Sequence, residues 1–139
     1  MNKKIFLLIS FLSLQILVTS VAIAGNQKEI QHQRTVQSLL LGVNSENTGL
    51  KSGCAFMLGE LKVSNAVIPL MKLLKENNNA DIKIAAALAL YKIGDKRGIF
   101  AIKMAAQFEQ NERVRKTCEL FYKNYLNQKE NSTVFLSVE

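Results

Sequence analysis

The chain has 139 residues, 48% of them apolar and 21% charged, with a formal charge of +7. That length holds one small domain, and the balance is that of a globular protein. His32 is the only histidine, so neither a His-rich metal site nor a Cys-His nucleophile pair has a sequence neighbourhood to draw on.

Residues 1–24 have the grammar of a secretory signal peptide. Lys3 and Lys4 precede an apolar run from Ile5 to Val18, and Ala22-Ile23-Ala24 ends the segment before Gly25. Cleavage is expected after Ala24, placing the chain in a periplasm or outside the cell. An uncleaved anchor is the alternative, because the run is nearly long enough to span a bilayer. No Cys follows the run, so a lipoprotein anchor is not indicated. Without Lys3 and Lys4 the charge falls from +7 to +5. Export argues against nucleic acid as a partner and leaves solubility, or loose attraction to anionic surfaces, as the use of the excess.

Residues 25–46 carry Ile30, Val36, Leu39 and Leu40 at helical spacing, which predicts a leading amphipathic helix and linker able to cover one end of a helical stack. Residues 47–127 then repeat themselves at a spacing of thirty-two without a gap. Asn47, Asn79 and Asn111 coincide, followed by Leu50, Ile82 and Val114, then by Lys51, Lys83 and Arg115. Cys54, Ala86 and Cys118 come next, then Met57/Leu58, Ala89/Leu90 and Phe121/Tyr122, closed by Leu61, Ile93 and Tyr125. These apolar positions form one stripe of an α-helix, and Asn, or the residue after it, is the natural N-cap.

A second helix follows in the first two blocks, where Ala66, Val67, Leu70 and Leu74 match Gly98, Ile99, Ile102 and Ala106. The repeats are therefore 47–78, 79–110 and a partial 111–127. Residues 128–139 are read as a polar tail, more readily unstructured than an added strand.

The chain resembles the short HEAT-like repeats, including the variety described in phycobilisome lyases. The residues that carry the resemblance are Lys51, Cys54-Ala55, Leu58-Gly59 and "AVIPL" from Ala66, then Lys83, Ala86-Ala87, Leu90, "IGD" and "GIFAI". Gly59 becoming Tyr91 and Ala87 becoming Glu119 depart from the pattern. The resemblance implies an all-α fold, a short right-handed α-α superhelix of about two and a half helical hairpins plus the leading helix. Such units cannot bury their apolar stripes alone and must stack.

Cys54 and Cys118 sit at the same position two repeats apart, too far for a disulfide when helices pack roughly 8–10 Å from their neighbours; both are expected to be buried small residues. No catalytic residue, metal ligand or cofactor is assigned. The column Lys51, Lys83, Arg115 is expected to be structural, since the resemblance places it near the preceding inter-repeat loop, although it could also hold an acidic partner.

In this family the second helices line the inner face, which makes Ile68, Lys72, Lys75, Phe100, Lys103, Met104 and Gln107 the expected partner-binding residues. Cover of Phe100 and Met104 by the leading helix or the tail is the competing reading. The expected function is an exported, non-catalytic interaction module or scaffold for another protein or peptide. Its alternatives are a lyase-like or chaperone-like accessory subunit and weak attachment to anionic membrane or wall polymers. Self-association through open ends of the stack is a further option.

Overall fold

The computed structural model describes the backbone of residues 27–136 and the side chains of residues 27–131; the expected signal peptide lies outside the described residues. The chain divides into two compact units, Met1–Gln37 and Ser38–Glu139. Of the first, residues 27–37 are helical.

The elements are α1 (residues 27–42), α2 (Thr48–Glu60), a 3₁₀ turn (Ser64–Ala66), α3 (Val67–Glu76), α4 (Ala80–Ile93), α5 (Lys96–Phe108) and α6 (Glu112–Leu136). The fold is all-α, with no strand among the described residues. In the second unit α2 packs on α4 and α4 on α6, while α3 packs on α5; α4 also touches α3 and α5, and α5 leans on α6. The first helices of the repeats thus form one layer and the second helices another, around a core that includes Leu58, Leu70, Leu90, Ile102, Val67 and Val114.

Each turn that leads into a first helix is built from the same kind of bonds. The side chains of Asn47, Asn79 and Asn111 accept the N–H of Leu50, of Asp81 and Ile82, and of Val114, satisfying donors that the first helical turn leaves over. Two residues earlier, Ser45, Asn77 and Glu109 each accept the backbone N–H of the capping Asn, at 3.1, 2.9 and 3.1 Å. The thirty-two-residue repeat is therefore visible atom by atom.

The turns inside the repeats differ. Helix α4 stops at Gly94, which adopts φ 73° and donates to the Leu90 carbonyl, and Asp95 then caps α5 through the Arg97 N–H. Lys62 occupies the equivalent place in the first repeat with φ 50°, a conformation costly for a residue with a Cβ. Val63 offers no side-chain cap, and Pro69 lacks the N–H that would close an α-turn on Asn65. The chain enters α3 through a 3₁₀ turn as a result.

Two expectations are corrected. Leu50, Met57 and Leu61 belong to the apolar stripe, yet all three are exposed, whereas Ile82, Ala89 and Val114 at matching columns are buried. The column packs towards a preceding first helix, and α2 is the first of the three. The third helix does not end near residue 127 in a polar tail: α6 continues to Leu136. No Gly or Pro interrupts residues 127–136, and Gln, Lys and Glu are good helix formers that need no buried face to continue a helix already nucleated.

Candidate partner-binding groove

The layer of first helices is closed by two seams that use equivalent positions differently. Gly59 of α2 lies so close to α4 that a Cβ there would sit 2.6 Å from Ala89 Cα and 2.9 Å from its Cβ. Thirty-two residues on, Tyr91 of α4 stacks on Phe121 of α6, with ring centroids 5.3 Å apart and 12° between planes. The Tyr91 hydroxyl accepts a bond from Gln128 Nε2 at 2.9 Å. The replacement of Gly59 by Tyr91 is thus matched by that of Ala89 by Phe121, and the seam changes from backbone contact to ring contact.

Rungs between repeats reinforce this layer at its surface. Lys92 pairs with Glu60 and lies over the Phe56 ring, and Arg113 pairs with Asp81 at 2.7 Å. Exposed pairs of this kind contribute little each.

The basic column serves the turn between the second and third repeats. Lys83 Nζ donates to Glu109 Oε2 at 2.8 Å, with the two side chains only 14% and 12% exposed. The other oxygen of Glu109 holds the Asn111 N–H, and Arg115 Nη1 donates to the Glu109 carbonyl. Burial pushes the Glu109 carboxyl upward, but the bonds from Lys83 and Asn111 and the Lys83 charge outweigh it and hold the carboxyl below its usual range. Arg115 reaches the preceding loop, as expected, while Lys83 reaches the following one. Lys51 makes no ion pair among the described residues, because the residue thirty-two before Glu109 is the neutral Asn77.

The second-helix layer is open. Between α3 and α5 lies a groove of about 710 Å³. Helix α3 lines it with Ile68, Met71, Lys72, Leu74, Lys75 and Glu76, and α5 with Phe100, Ala101, Met104, Ala105 and Phe108, followed by its C-cap Glu109. Ile68, Phe100 and Phe108 are 58%, 57% and 73% exposed, an apolar concentration that single surface hydrophobes do not make.

Five of the residues read from sequence meet here: Ile68, Lys72, Lys75, Phe100 and Met104. Lys103 and Gln107 do not line the groove. They share columns with Met71 and Lys75, which on α3 line the groove; on α5 the first of these columns turns to α6, where Lys103 lies 5.9 Å from the centroid of the Tyr122 ring. Met71 and Phe108 escape the sequence reading, although Phe108 continues the four-residue spacing of Phe100 and Met104.

Cys54 and Cys118 are free and buried. Burial, with the nearby charges of Glu109 and Glu119, pushes the Cys118 thiol up to about 12 despite Lys83, so it stays protonated at neutral pH. No cluster of three metal-ligating side chains occurs among the described residues, and no described helix is long and apolar enough to cross a membrane.

These features are those of stacked helical hairpins, and the chain belongs to the HEAT-repeat family: the model of HEAT repeats matches residues 36–120. HEAT repeats generally mediate protein binding as scaffolds. No curated protein gives a significant match to the chain.

Proposed function

We propose that this is an exported, non-catalytic interaction module whose α3–α5 groove holds a segment of another protein. The observation that carries the reading is the groove itself: Ile68, Phe100 and Phe108 are large apolar side chains that the core does not use. The polar groups of its lining are the ammonium groups of Lys72 and Lys75 and the carboxylates of Glu76 and Glu109, the last already tied to Lys83. That set can orient a charged partner, and nothing in it favours the lyase-like alternative.

Export rests on the order of charge, apolar run and small residues in 1–24. N-terminal sequencing of the protein from its own cell should begin at Gly25; a chain that retains Met1 contradicts cleavage. The binding face is tested by a photoreactive amino acid at position 100 of the full chain, with position 120 on the far side of α6 as control. Position 100 should give one discrete cross-linked species and position 120 none. Equal cross-linking from both, or from 120 alone, would overturn the assignment.

A further inference from the structure

We propose that the occupant of the groove is an amphipathic helix of another protein, carrying carboxylates along the flank that faces α3; this rests on the groove being the binding face.

The choice of a helix follows from what the lining lacks. Helix backbones satisfy their own hydrogen bonds, so α3 and α5 offer no free edge, and the groove contains no Asn, Gln, Ser or Thr side chain. An extended segment entering it would lose water from its N–H and C=O groups without finding partners. A helix brings those groups already paired. The spacing agrees: Phe100, Met104 and Phe108 stand at successive turns of α5, about 6 Å apart at a rise of 1.5 Å per residue, and anchors at i, i+4 and i+7 of an incoming helix interleave with that interval. Met71 and Met104 supply flexible, polarizable walls that adapt to different apolar anchors.

The choice of charge follows from what is already neutralised. Lys83 occupies Glu109. Lys72 and Lys75 are exposed on α3 and make no ion pair among the described residues, leaving Glu76 as the one lining carboxylate without a cation. The α3 wall is therefore net positive, and carboxylates on the incoming helix complement it.

The test uses three labelled peptides and the full mature chain, with binding read by fluorescence anisotropy. One peptide is a helix with Leu at i, i+4 and i+7 and Glu on one flank. A second has Lys in place of Glu, and a third is the Glu peptide broken by Pro at its centre. The Glu helix should bind at least tenfold tighter than either of the others. The pair Lys72→Glu and Lys75→Glu should reverse the Glu-over-Lys preference, and Phe100→Asp should abolish binding of both helices.

All of these variants alter exposed side chains, and a circular dichroism melt confirms that each is folded. Equal binding of the Glu and Lys helices, undiminished binding of the Pro-broken peptide, or no binding by any peptide overturns the proposal. So does salt-sensitive binding to phosphatidylglycerol vesicles, lost with the two Lys changes, in the absence of peptide binding. A position-100 cross-link that survives any of these results keeps the groove as the binding face and removes only the acidic helix; loss of that cross-link removes both.

Discussion

The first and second helices of these repeats differ in how they treat the gap to the next repeat. The first-helix layer shuts it twice, with Gly59 against Ala89 and with Tyr91 stacked on Phe121. The second-helix layer leaves it open, so that Phe100 and Ile68 face solvent across a groove. One supersecondary unit thus presents two kinds of surface: neighbouring first helices close on one another, and second helices stand apart over the groove proposed for recognition. The difference is physical, because the side chain at a column decides whether two helices close on backbone, on rings or not at all.

The comparison can be broken by substitution. Gly59→Leu should have the largest effect, because its side chain must enter space held by the α4 backbone. A loss of about 3 kcal/mol is expected, at the upper end for overpacking, seen as a fall in the thermal midpoint; an unchanged midpoint would mean that the seam is not closed.

Lys83→Met should cost about 2 kcal/mol at neutral pH. That is less than the roughly 3–5 kcal/mol for breaking a fully buried pair, since both side chains keep some contact with water. The pH dependence has a definite sign. Glu109 titrates lower in the folded chain than in the unfolded one, so its contribution is complete above the ordinary glutamate value of about 4.3 and is lost as pH falls through the folded value. The gap between the wild type and Lys83→Met should therefore narrow in acid. A gap independent of pH would assign the loss to packing of the lysine stem.

The ring seam is probed by a double-mutant cycle of Tyr91→Ala and Phe121→Ala, where a coupling of about 1 kcal/mol is expected from stacking. Additive effects would reduce the ring contact to coincidence. The smallest change in stability should come from Phe100→Asp, within about 0.5 kcal/mol of wild type in a chemical denaturation series. A larger loss would show that the groove is part of the core.

How far the sequence discloses this arrangement depends on whether a role is held by one residue type or by several. The three capping asparagines are identical, so the helix starts are legible, and the helical spacing of Val67, Leu70 and Leu74 separates buried from exposed positions on α3. The residue two before each cap does one job with Ser45, Asn77 or Glu109, any of which presents an oxygen to the next N–H, and no identity marks the column. Tyr91 looks like an isolated departure and Phe121 like an ordinary apolar position until the stack joins them.

Copying the register of α3 onto α5 puts Gln107 at the groove, and Lys103 is read as part of its rim, yet neither lines it. What a column faces depends on the next element, and after α5 that element is α6, not another second helix. The exposure of Leu50 has the same origin, since a repeat's register says nothing about which repeat stands first.

The most direct test of recognition at the groove is hydrogen exchange of the chain alone and bound to the partner captured by the position-100 cross-link. Added protection should fall on α3 and α5, with α2 and α6 unchanged. Protection gained in α2 or α6 while α3 and α5 exchange as before would contradict it.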